Sequence, residues 1–145
     1  MPSITRAFAT TASPEAAFDY LADFRNAEGW DPGTKTCQRT GGDGGVGTTY
    51  RNVSGFLGRE VELTYTTAEL VPGRLVLLTG SNDSFDGHDR FEIERSGDAT
   101  RITYNAEMHF SGASRLASHL VAAYLPILAK KTVDQLRDCL DRLSA

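Results

Sequence analysis

The stretch that decides the fold is Arg101-Ile102-Thr103-Tyr104-Asn105-Ala106-Glu107-Met108-His109-Phe110, together with the long segment that follows it. Ile102, Tyr104, Ala106, Met108 and Phe110 alternate with Arg101, Thr103, Asn105, Glu107 and His109, so a strand here has one apolar and one wet face. Such a face needs a cover. The segment from about 113 to 143 supplies it, with helical period and no glycine after Gly112. At about 100° per residue, Val121, Ala122, Leu125, Ala129, Val133, Leu136, Leu140 and Leu143 fall on one side of that helix. The opposite side is polar in the second half, at Lys131, Asp134, Gln135, Asp138 and Arg142. In the first half it is apolar, at Leu116, Leu120, Ala123, Tyr124 and Ile127. Pro126 lies between the halves, cannot donate to the carbonyl of Ala122, and is expected to kink or loosen the helix.

Upstream of residue 101 the same period-2 signal recurs. Val61, Leu63 and Tyr65 alternate with Glu60, Glu62 and Thr64. From about 35 to 110 six strands are expected, punctuated by Gly41–Gly45, Phe56-Leu57-Gly58, Pro72-Gly73, Asp86-Gly87 and Ser96-Gly97-Asp98. A further strand is expected at residues 3–11. Ser13-Pro14-Glu15 then offers a cap, a proline at the first helical position and an acid in the first turn. A short helix over 14–22 and a second turn near 24–28 follow, with Ala17, Phe18, Leu21 and Phe24 at helical spacing, before Trp30-Asp31-Pro32-Gly33 breaks the pattern.

Composition narrows the function classes. At 145 residues, with 40% hydrophobic and 23% charged residues, the chain has the size and make-up of one globular domain spanning 1–145. A net charge of −4 with scattered Lys and Arg argues against nucleic acid as a partner. No apolar run reaches the ~20 residues that a membrane helix needs, and the N-terminus does not read as a secretory signal, so membrane insertion is not expected and a cytoplasmic location is. Cys37 and Cys139 are isolated and read as small hydrophobes without a disulfide; no metal and no cofactor are expected.

The order of strand, split helix, six-stranded meander and long C-terminal helix resembles the START-like superfamily, also labelled SRPBCC or polyketide cyclase/dehydrase and lipid transport. Ser13-Pro14-Glu15-Ala16-Ala17-Phe18-Asp19-Tyr20-Leu21-Ala22-Asp23 resembles its opening helix, Trp30-Asp31-Pro32-Gly33-Thr34 its Trp-x-Pro turn, and Val46-Gly47-Thr48 the start of its third strand. The resemblance implies an α+β helix-grip fold, a curved seven-stranded antiparallel sheet wrapped around the C-terminal helix, with two short helices after the first strand and a cavity beneath the long one. Members range from lipid carriers and hormone receptors to aromatase/cyclases, so the fold alone selects no activity.

Strand parity gives an independent argument for a cavity. It turns Tyr50 and Asn52, Tyr65, Asp89 and Phe91, and Tyr104 and Met108 toward the helix, a face too polar for a plain core. With Val121, Leu125 and Leu128 from the helix and Trp30, these are the candidate ligand-binding residues. Trp30 is expected chiefly to staple the short helices to the sheet with its indole N–H hydrogen-bonded. Asp89 is the one catalytic candidate, since a carboxylate buried at that position has a raised pKa. Asp83, Asp86 and His88 read as parts of a hairpin turned at Asp86-Gly87. Gly42-Asp43-Gly44-Gly45-Val46-Gly47 fits a phosphate-loop pattern but precedes a strand, so it reads as a glycine turn that can border the cavity mouth. His109 and His119 read as solvated.

The expected function is binding or transport of a hydrophobic or aromatic small molecule such as a lipid or polyketide. The alternatives are a cyclase or dehydratase using the same cavity, and a protein-interaction module. The apolar back of the first half of the helix is expected to lie under the loops around 55–58 and 80–88 and to form a portal, or else to be the contact of a homodimer in place of a monomer.

Overall fold

A computed structural model of the chain describes residues 2–56, 58–112 and 117–144. Seven strands, β1 (Ser3–Thr10), β2 (Thr34–Gly41), β3 (Thr49–Phe56), β4 (Arg59–Val71), β5 (Leu75–Asn82), β6 (Phe85–Ser96) and β7 (Ala99–Phe110), form one curved antiparallel sheet in the order β1-β7-β6-β5-β4-β3-β2. Strands β2 to β7 are therefore a simple meander. The first strand closes the other edge, pairing Ile4 with Ala106 and Phe8 with Ile102. Between β1 and β2 lie α1 (Pro14–Ala22), a 3-10 turn (Phe24–Asn26) and α2 (Ala27–Trp30); α3 spans Ala117–Arg142.

The local chemistry explains these boundaries. Ser13 Oγ accepts from the backbone N–H of Ala16 at 3.1 Å, which satisfies one of the orphan donors at the start of α1. Asp23 caps the 3-10 turn through the N–H of Arg25. The C-terminal end of α3 is tied to the sheet by Asp141, whose Oδ1 accepts from Thr10 Oγ1 at 2.6 Å and from the N–H of Thr11 at 3.0 Å. Helix α3 runs continuously through Pro126.

The core has two unlike regions. Beneath the short helices it is aromatic and closed. Trp30 packs edge-on against Phe24, Phe91 and Tyr104, and Phe91 stacks on Tyr104 with centroids 4.9 Å apart. Beneath α3 it is aliphatic, with Ala129, Leu136 and Leu140 fully buried.

Four expectations need correction. Asp86-Gly87 is not a turn: Gly87 pairs with Gly80 inside the β5–β6 ladder, and the chain reverses at Asp83-Ser84. Gly87 is needed there because a Cβ would stand 2.3 Å from the carbonyl oxygen of Glu107. The buried stripe of α3 includes Thr132, which hides its hydroxyl by donating to Leu128 O at 2.9 Å, but omits Ala122 and Leu143, which face solvent. Trp30 does fill the interface between the short helices and the sheet, yet its indole N–H finds no acceptor among the described residues. Finally, Leu120 and Ile127 are 61% and 55% exposed, so the expected loop cover does not reach them. Leu116 and Leu57 lie outside the described residues.

Candidate functional site

Between the inner face of the sheet and the first half of α3 lies a cavity of about 550 Å³. Its floor is built by the alternation that also builds the strands. Leu63 and Tyr65 come from β4, Asp89 from β6, and Tyr104, Ala106, Met108 and Phe110 from β7. Its roof is Val121, Tyr124, Leu125 and Leu128 of α3, one and two turns apart. One end is the turn after α2, at Asp31, Pro32 and Gly33; Lys131 stands at the solvent-exposed rim.

Two glycines make the room. A Cβ on Gly80 would lie 2.6 Å from the ring of Tyr65, and one on Gly87 3.0 Å from the ring of Phe85. Each glycine lets an aromatic ring lie flat on the sheet, where any larger residue would lift the ring into the space under α3.

The polar groups of this apolar chamber gather on one side. The hydroxyl of Tyr104 donates to Asp89 Oδ1 at 2.7 Å. Asp89 is 9% exposed, and burial pushes its pKa up to about 7; the Tyr104 hydrogen bond works against the rise and the charge of Asp31 adds to it. Asp31 accepts from the N–H of Gly33 at 3.2 Å and from Thr34 Oγ1 at 2.7 Å; burial raises its pKa too, and those two hydrogen bonds moderate the rise. Burial and the same two carboxylates hold the phenols of Tyr65 and Tyr104 well above their usual range.

Of the residues expected at the site, Tyr65, Asp89, Tyr104, Met108, Val121, Leu125 and Leu128 line the cavity. Trp30, Tyr50, Asn52 and Phe91 do not. Trp30, Tyr50 and Phe91 belong instead to the closed core under the short helices, and Asn52 is buried in the sheet. Tyr50 meets Phe24 edge-on. Asn52 is spent in a buried chain, donating to Thr34 Oγ1 at 3.1 Å and accepting from Ser54 Oγ at 2.6 Å. Nor does the turn at Gly42–Gly47 border the cavity; it is tight, with Gly42 Cβ space taken by Thr48.

Sequence reasoning missed Asp31, Tyr124 and Lys131 as lining residues. A carboxylate wedged between Trp30 and Pro32 was the available signal, because neither neighbour is at home on a solvated loop. Among the described residues, no three His, Cys, Asp or Glu side chains converge as a metal site.

A curved antiparallel sheet gripping a C-terminal helix over an internal cavity defines a helix-grip protein. The chain belongs to the polyketide cyclase/dehydrase and lipid transport family, whose model matches residues 1–143. The fold is shared with the protein TTHA0849 of Thermus thermophilus (14% identity, TM-score 0.81, covering 99% of this chain and 100% of that one). It is shared also with the Zhui aromatase/cyclase of a Streptomyces species, strain R1128 (11% identity, TM-score 0.77, 99% and 96%), and with a START superfamily protein from Mycobacterium smegmatis (18%, 0.71, 97% and 98%). No curated protein matches the sequence. No helix among the described residues is long and apolar enough to cross a membrane.

Proposed function

We propose that this protein binds or carries one hydrophobic, largely aromatic small molecule in the cavity under α3. The observation that carries this reading is the chamber itself, which is about 550 Å³ in volume, where protein interiors ordinarily close to voids of a water molecule or less. Its size falls within the range of small-molecule sites, and its apolar walls with a few polar groups on one side have the usual make-up of one. The family contains both cyclases and lipid carriers by its description, which agrees with a ligand of this kind. Tyr65, Asp89, Tyr104, Met108, Val121, Leu125 and Leu128 are proposed as ligand contacts, joined by Asp31 and Ala106.

The test is a fluorescence titration with the neutral probe N-phenyl-1-naphthylamine, run on the wild type and on Ala106→Phe. Ala106 is buried and lines the cavity, so a phenyl ring there occupies the space the probe needs. Saturable one-to-one binding by the wild type, weakened at least tenfold in a variant whose circular dichroism is unchanged, is the expected result. Equal binding by both proteins would place the probe elsewhere and end this reading.

A second reading, a cyclase or dehydratase, is favoured by one contact. Asp89 and Tyr104 form a proton-sharing pair in the cavity wall, and a carboxyl with a pKa of about 7 can both take and give a proton near neutrality. In that reading the chamber folds a reactive chain, and Asp89 takes a proton from carbon and returns it to the hydroxyl that leaves as water when the C–O bond breaks, with Tyr104 hydrogen-bonded to Asp89 throughout. Incubation with a poly-β-ketone thioester analogue, followed by mass spectrometry, separates the two: loss of water from the substrate that depends on Asp89 supports the enzyme, and unaltered substrate supports the carrier.

A further inference from the structure

Asp31 and Asp89 come from different elements, the turn after α2 and the middle of β6, yet face one chamber. Neither forms an ion pair with a Lys, Arg or His among the described residues. Oδ1 of Asp89 is held by Tyr104, whereas Oδ2 accepts no hydrogen bond among the described residues, although the side chain is nine-tenths buried and lines the cavity. Tyr65 lines the same floor, and the charge of Asp89 helps to raise its phenol. Buried carboxylates are ordinarily matched by a cation, because desolvation penalises the unpaired charge heavily. Among the described residues no Lys, Arg or His supplies the matching charge. Lys131 is no substitute, since it is exposed at the rim with its Nζ 3.4 Å from Tyr124 Oη.

Resting on the cavity reading above, we propose that the ligand is a hydrophobic amine, an apolar or aromatic skeleton whose ammonium group sits between Asp31 and Asp89. The arrangement suits an ammonium better than a neutral hydroxyl for two reasons. Two carboxylates can share the several donors of one cation through charge-assisted bonds, which are about twice as strong as neutral ones. The negative field of the same two carboxylates, which also raises the phenols of Tyr65 and Tyr104, is offset by a cation and not by a neutral hydroxyl. An anionic ligand is disfavoured by the same two residues.

The experiment is isothermal titration calorimetry at pH 8 with three ligands that share one skeleton, 2-(2-naphthyl)ethylamine, 2-(2-naphthyl)ethanol and 2-naphthylacetate. The amine is expected to bind at least about tenfold more tightly than the alcohol, and the acid most weakly. Asp31→Asn and Asp89→Asn should each bring the ratio of amine to alcohol affinity down to about one, whatever each does to the alcohol alone. A second measurement needs no variant. At pH 7 the amine should release protons from Asp89, seen as a binding heat that depends on the buffer, and its affinity should fall as the pH drops below about 7. The groups facing Asp89 in that titration are Asp31, Tyr65 and Tyr104, with His88 adjacent in β6. Alcohol binding as tight as amine binding, or an amine preference that survives both variants, would overturn the proposal. If N-phenyl-1-naphthylamine binds and the amine gains nothing, only the amine assignment fails; if no probe binds, the cavity reading fails with it.

Discussion

Replacing Asp89 by Asn should make the empty protein more stable at alkaline pH and leave it little changed in acid. An ordinary aspartate titrates near 3.8 and Asp89 near 7, so the folded protein holds a proton that the unfolded chain releases. Between those pH values the native state binds more protons than the unfolded state, and stability falls as the pH climbs. At 1.36 kcal/mol per pKa unit the full difference corresponds to about 4 kcal/mol. That figure is a ceiling, because an asparagine at 89 accepts a weaker hydrogen bond from Tyr104 than a carboxylate does. The amide cannot ionise, so the variant avoids the cost that wild type accumulates as the pH climbs to about 7 and carries in full above it. For a chain of this length, a gain of 2–4 kcal/mol raises the melting temperature by roughly 10 °C. Thermal unfolding followed by circular dichroism at pH 5, 6, 7 and 8 gives the answer. The melting temperature of the wild type should drop relative to Asp89→Asn across that series, with the gap widest at pH 8. Parallel curves for the two proteins would mean that Asp89 titrates normally, and the description of the cavity wall would be wrong.

Tyr104→Phe removes the one hydrogen bond that lowers the pKa of Asp89, and the carboxyl should then titrate above about 7, as read from its carbon-13 shift. Gly87→Ala forces a methyl group to within 2.3 Å of the backbone oxygen of Glu107 in a paired strand; a loss of at least about 3 kcal/mol in urea unfolding is expected. Asp141→Ala removes the acceptor shared by Thr10 and Thr11, at about 1–2 kcal/mol. Burial alone raises the pKa of Asp141, but those hydrogen bonds outweigh it and hold the group below its usual value, so the difference from wild type should shrink as the pH falls below about 4.

The fold was legible because two periodicities coexist in adjacent segments: period 2 through Arg101–Phe110 and period 3.6 through α3. The same parity identified Tyr65, Asp89, Tyr104 and Met108 as inward residues. Parity names a face, however, and does not say what covers each part of it. Tyr50 and Phe91 have the same parity as the cavity residues, but Phe24 and Trp30 of the short helices close over them while α3 stands away from Tyr65 and Met108. Only the packing of Phe24 and Trp30 makes that division, and it is a long-range property. Asp31 escaped notice for a different reason: in a turn no alternation fixes the direction of a side chain. Asp86-Gly87 misled because an Asp-Gly pair is a frequent hairpin turn, whereas here the glycine meets a steric demand from the neighbouring strand.

The central claim is that the chamber under α3 takes a hydrophobic ligand, and methyl-detected NMR tests it most directly. With N-phenyl-1-naphthylamine at saturation, intermolecular contacts should reach the methyl groups of Ala106, Met108, Val121 and Leu125, all of which line the cavity. Contacts to the exposed Leu120 and Ile127, with none to the four cavity-lining methyl-bearing residues, would contradict it.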